Sequence, residues 1–126
     1  MVTVAIVGSR AITTDLAPIL DAIATPAWSS VVSGGAIGTD AQAARWARAR
    51  GLPVVEYLPD YGAHGRHAPH VRNRAIVDAC DLLVAFWDAD PWPENARTMV
   101  ARARRRGVPV VRVAAGRVLP DLEGAI

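Results

Sequence analysis

Short valine-rich runs alternate with alanine-rich stretches of helical length along almost the whole chain, and that alternation restricts the possible folds more than any other feature. The runs Val2–Val7, Val31–Ser33, Pro53–Tyr57, Leu82–Trp87 and Val108–Val113 read as strands. The stretches Asp15–Ala24, Thr39–Arg50, Val71–Ala79 and Glu94–Arg106 read as helices. Strand, helix, strand in repetition is the pattern of βαβ crossovers around a parallel sheet. Near-continuous hydrophobicity in the strands, rather than strict alternation, is expected when helices cover both faces. The predicted class is therefore α/β, five strands in one mostly parallel sheet.

Helix ends carry their own signals. Thr14, Thr39 or Asp40, and the span Asp90 to Glu94 offer N-caps and first-turn acids, while Gly51 and Gly107 stand where C-caps belong, each followed two residues later by proline. Arg50-Gly51-Leu52-Pro53-Val54-Val55 and Arg106-Gly107-Val108-Pro109-Val110-Val111 are parallel, which we read as shared helix-turn-strand geometry rather than a true repeat. Leu58–His70 reads as one long irregular loop holding His64, His67 and His70. On a proline-interrupted loop that spacing does not put three histidines on one face, so solvated side chains are expected and no metal or other cofactor. The tail 114–126 is left unassigned.

At 126 residues and 52% hydrophobic, the chain is expected to form one ordered domain, residues 1–126. Cys80 is the only cysteine, which excludes an internal disulfide. All 14 basic residues are arginine and the net charge is only +2, a balance too mild for binding nucleic acid by charge alone. The absence of lysine removes a P-loop lysine and a Schiff base, leaving arginine forks and backbone N–H groups to grip an anion. The amino terminus reads as a buried strand rather than a signal peptide, and no apolar run approaches the ~18 residues of a membrane span, so a cytoplasmic location and no membrane partner are expected.

Ligands of open parallel sheets bind at the carboxyl ends of the strands. Reading outward from those ends gives Gly8-Ser9-Arg10, then Ser33-Gly34-Gly35-Ala36-Ile37-Gly38-Thr39-Asp40, then the loop leading to Arg72-Asn73-Arg74, and finally Trp87-Asp88 ahead of Glu94-Asn95-Ala96-Arg97-Thr98. The second segment has the geometry of a phosphate cradle: glycines let backbone approach an anion at a helix N-terminus. A tight strand-to-helix turn is the alternative.

Val-Gly-Ser-Arg after the first strand, Ser-Gly-Gly-Ala-x-Gly-Thr-Asp before the second helix, and Arg-Asn-Arg ahead of Cys-Asp-Leu-Leu-Val-Ala-Phe together resemble the SLOG superfamily. That superfamily includes the DNA-processing protein DprA (Smf), the Lonely Guy phosphoribohydrolases and small stand-alone proteins of the YspA/YpsA type, to which this chain is most similar. The resemblance spans residues 2–113. It implies a Rossmann-like three-layer sandwich with strand order 3-2-1-4-5 and a bound nucleotide or ADP-ribose-like derivative. By position, the ligand would be met by Gly8, Ser9, Arg10, Ser33, Gly34, Gly35, Gly38, Thr39, Asp40, Arg72 and Asn73. The phosphoribohydrolases carry a second motif, Pro-Gly-Gly-x-Gly-Thr-x-x-Glu, after the fourth strand. Only Thr98 stands for its Gly-Thr step here, which favours binding or sensing over hydrolysis.

Several residues keep two readings. Asp40 caps the helix or meets a ribose hydroxyl, and Glu94 interacts with the helix dipole or acts as an acid or base beside Asp40. Trp46 covers the sheet or forms part of a homodimer surface, and Trp87 and Trp92 pack the core or stack a base. Arg102, Arg104, Arg105 and Arg106 read as a solvated face at the far end of their helix. The expected partners are a nucleotide-like small molecule and a second copy of the chain, with DprA-like binding of single-stranded DNA as a further alternative.

Overall fold

The computed structural model describes residues 1–120. One sheet runs in the order β3-β2-β1-β4-β5-β6. Its strands are β1 (Val2–Gly8), β2 (Trp28–Ser33), β3 (Val54–Glu56), β4 (Leu82–Phe86), β5 (Val110–Ala114) and β6 (Arg117–Val118). The first five are parallel in the expected order, and β6 adds a sixth, antiparallel strand beyond β5. Five was thus one too few. The two-residue turn Ala115-Gly116, with φ of 51° and 72°, folds the chain back at once, and β6 is too short to announce itself as a hydrophobic run. Residues 121–126 of the unassigned tail lie outside the described residues.

Burial on the central strand explains the layers. Val4 and Ile6 of β1 pack with Leu20, Ala43, Trp46 and Ala47 on one face, whereas Ala5 and Val7 pack with Ile76, Val77, Met99 and Val100 on the other. Alternate side chains of a strand point to opposite faces, so a strand buried on both reads as continuous. The helices are α1 (Ala17–Ile23) and α2 (Thr39–Ala49) on the first face, α4 (Ala68–Ala79) and α5 (Glu94–Arg105) on the second. In α5, Ala96, Met99, Val100 and Ala103 are buried at the i, i+3, i+4, i+7 spacing of one helical face; full burial of side chains the size of Met99 and Val100 contributes about 1.5–3 kcal/mol each.

The Leu58–His70 segment is not irregular throughout. A short helix, α3 (Tyr61–His64), and a 3₁₀ turn, Gly65–His67, lead into α4, which starts three residues before the expected Val71. Asp60 caps α3 by accepting the Ala63 N–H at 3.0 Å. Pro69 falls in the first turn of α4, where a missing N–H costs nothing.

The two glycine C-caps are structural twins. Gly51 and Gly107 both have φ 74°; Gly51 N–H bonds Arg48 O and Leu52 N–H bonds Ala47 O, while Gly107 N–H bonds Arg104 O and Val108 N–H bonds Ala103 O. This is the Schellman arrangement twice. The N-caps of α1 and α5 differ from the expected ones. Leu16, not Thr14, precedes α1, with Asp15 Oδ1 accepting the Ala17 N–H at 3.0 Å, and Pro93 precedes α5 without a side-chain cap.

Trp46 covers the sheet: it meets Trp28 edge-on at 5.8 Å, donates from Nε1 to Asp21 Oδ1 at 2.9 Å and lies under the Arg50 guanidinium at 4.9 Å. The arginines ending α5 are not a merely solvated face. Arg102 forks onto both oxygens of Asp78 on α4 at 2.8 Å, and Arg106 Nε reaches Asp78 Oδ1 at 3.2 Å. No helix among the described residues is long and apolar enough to cross a membrane.

Candidate functional site

The crossover from β1 runs through α1 to β2, while β4 leads through α5 to β5 on the other side, so the sheet divides between β1 and β4. Gly8 pairs with Phe86 at that division. Such switch points open a crevice at the strand carboxyl ends. A Cβ on Gly8 would lie 2.5 Å from both Phe86 O and Thr39 Oγ1, so glycine lets α2 begin directly against the strand ends.

Thr39 makes that junction. Fully buried, it donates from its hydroxyl to Ser9 O at 2.9 Å and from its N–H to the same oxygen at 3.3 Å. It therefore does not cap α2, and neither does Asp40; the N-cap position is Gly38 at φ 73°. Arg10 explains this glycine, because a Cβ on Gly38 would lie 2.5 Å from Arg10 O. Ser9 turns its own Oγ to the Ala11 N–H at 3.1 Å.

Between β2 and α2 the glycine loop satisfies part of its own backbone. Ser33, fully buried, accepts the Gly35 N–H on Oγ at 3.2 Å, and Asp40 Oδ2 accepts the Ala36 N–H at 3.2 Å. Among the described residues, the N–H groups of Ile37 and Gly38, and of Asp40 and Ala41 in the first turn of α2, have no protein acceptor. Those four donors, at the positive end of an eleven-residue helix, are what the loop offers an anion.

Asp40 is 8% exposed. Burial raises its pKa above the ordinary carboxylate value, against the opposing effects of the Ala36 N–H, Arg72 and Arg10; Glu56 acts in the same direction as burial. Arg72 reaches across from α4 and donates from Nη1 to Gly34 O at 2.8 Å and to Tyr57 O at 3.4 Å, while Nε donates to Asn73 Oδ1 at 2.8 Å. Over Gly34 a Cβ would meet Asp40 Oδ2 at 2.8 Å and Arg72 Nη1 at 2.9 Å. The buried acid and the arginine thus converge on one glycine.

Glu56 and Leu58 belong to the same surroundings and carry no motif. A Cβ on Gly35 would lie 2.6 Å from Leu58 Cδ2 and 2.9 Å from Glu56 Oε2. Their signal is positional: Glu56 pairs with Ser33 at the carboxyl end of β3.

Gly8, Ser9, Arg10, Ser33, Gly34, Gly35, Gly38, Thr39, Asp40 and Arg72 are therefore gathered around the β1 and β2 ends, with Asn73 holding Arg72. Glu94 and Thr98 are not part of that cluster. Glu94 is exposed in the first turn of α5, and Thr98 lines a groove of 90 Å³ between α4 and α5 with Asn73 and Arg74. Trp87 is buried and packs on Trp92 at 5.6 Å.

A family model described as YAcAr, the YspA, cpYpsA-related SLOG family, matches residues 2–64, half of the chain and the part that holds β1, the glycine loop and β3. No curated protein and no solved structure matches it.

Proposed function

The chain belongs to the YspA, cpYpsA-related SLOG family, and from that premise we propose that it binds a nucleotide or an ADP-ribose-like nucleotide derivative at the glycine loop. Family membership fits a nucleotide-related function in general. The observation that carries the finer reading is the convergence of Asp40 and Arg72 on Gly34 beside four N–H donors without a protein acceptor among the described residues. A phosphate accepts from the N–H groups of Ile37, Gly38, Asp40 and Ala41 and is met by Arg10, and a ribose hydroxyl donates to Asp40. The test is thermal shift with AMP, ADP and ADP-ribose. A ligand at 100 times its Kd adds about 2.7 kcal/mol, and Arg10→Ala reduces the shift. No shift with any of the three, or an unchanged shift in Arg10→Ala, refutes the reading.

One observation favours a second reading, hydrolysis of a nucleoside 5′-monophosphate. Asp40 is a buried carboxyl with raised pKa, suited to hold or give up a proton near the ribose-base bond, whereas Glu94 is exposed. Release of free base that is abolished by Asp40→Asn and retained by Glu94→Gln supports it; no release from any monophosphate removes it.

A further inference from the structure

The β5-β6 hairpin carries the sheet past the helix that covers it. Between the outer flank of α5 and this hairpin lies a cavity of 520 Å³, larger than the 170 Å³ hollow beside Arg72. Sites for small organic ligands commonly span about 300–1,000 Å³. Trp92, Val100, Ala114 and Leu119 give the cavity apolar walls, and Arg97 of α5 and Arg112 of β5 also line it.

Both arginines are held in place by backbone oxygens. Arg97 Nε donates to Trp92 O at 2.9 Å and Arg112 Nη2 to Pro120 O at 3.0 Å. Neither forms an ion pair with a carboxylate among the described residues. Arg112 also sits 5.8 Å from the centroid of the Trp92 ring, which rests on Trp87. Asp88, whose Oδ1 accepts the Ala115 N–H at 2.7 Å, and Asp90 line the same cavity and oppose a highly charged ligand. An indole wall with two positioned guanidiniums suits a flat ring carrying one anionic group.

We propose that this cavity is a second ligand site, separate from the glycine loop, for a small aromatic anion whose ring lies on the Trp92 wall and whose carboxylate or phosphate is gripped by Arg97 and Arg112.

The test is calorimetric titration of the full chain with 1-naphthoate, 1-naphthyl phosphate and the neutral 1-naphthalenemethanol. At least one anion binds, the alcohol binds at least about tenfold more weakly, and the tighter anion identifies the group. Arg97→Gln with Arg112→Gln weakens that affinity by at least about tenfold, while Arg10→Ala leaves it unchanged. Amide shifts in the unsubstituted protein read the site without relying on the variant's folding: they change at 88–92 and 112–119. Failure of both anions to bind, no loss in a folded double variant, loss in Arg10→Ala, or shifts confined to 33–41 overturns the proposal.

Discussion

Arg72 Nη1 lies 2.8 Å from the carbonyl oxygen of Gly34, so a side chain on α4 holds the end of β2 from 38 residues away. The same nitrogen reaches Tyr57 O at the end of β3, which makes Arg72 a strut of the loop as well as a candidate ligand contact. Hydrogen bonds from charged groups contribute about 1.5–3 kcal/mol each. Arg72→Ala is expected to lower unfolding stability in urea by about that amount, and Arg72→Lys, lacking the planar fork, to fall between the two. A loss below about 0.5 kcal/mol in Arg72→Ala assigns the contact no structural weight.

Asp40 makes a prediction about pH. Its folded pKa is raised, chiefly by burial, so the native state binds this proton more tightly than the unfolded chain does. Its contribution to stability is therefore most favourable below the unfolded value, near 3.8, and is lost as pH rises through the folded value. Asp40→Asn keeps an acceptor for the Ala36 N–H and removes the charge. The stability of the variant relative to the parent should rise across that window when both are unfolded at a series of pH values. A difference independent of pH contradicts the sign of the shift.

Gly38 combines φ 73° with the Arg10 carbonyl 2.5 Å from where a Cβ would sit. Gly38→Ala then suffers backbone strain and overlap together, and a loss of about 3 kcal/mol is expected. Gly107, at φ 74° with open space around it, is the control: Gly107→Ala meets the backbone term alone and should cost less by denaturant titration.

Asp78 clamps α4 to α5 through Arg102 and Arg106. Its pKa is lowered, mainly by the Arg102 hydrogen bond, against the opposing effect of burial. The clamp thus contributes fully above the ordinary value of 3.8 and is lost as pH falls through the folded value. Asp78→Asn should lower Tm at neutral pH, and the gap should narrow both in high salt and in acid. A gap insensitive to both identifies a packing effect instead.

Ala115 occupies the left-handed region at φ 51° in the β5-β6 turn, where Asn-Gly is the preferred pair. Asn tolerates that conformation better than Ala. Ala115→Asn should stabilise the protein by about 0.5–1 kcal/mol, read as a higher urea midpoint with an unchanged slope. An unchanged midpoint means that the turn is already relaxed.

Local patterning determined the class and the helix ends at Gly51 and Gly107, because burial on two faces and a left-handed C-cap each demand particular residues at particular spacings, whereas the strand order was implied by the family resemblance alone. The residues around the glycine loop were legible for the same reason: a close approach such as Thr39 against Gly8 tolerates no Cβ. Side-chain partnerships were not legible. Nothing in the spacing of Gly34 and Arg72, of Asp78 and Arg102, or of Trp92 and Arg112 pairs them; each pair meets only once separate elements pack. The tertiary structure alone decided that Asp40 is buried rather than capping α2, that Glu94 stays in solvent, and that a cavity opens beside α5. Burial and electrostatics depend on distances through space, whereas the sequence specifies only local conformational preference and which faces must leave water.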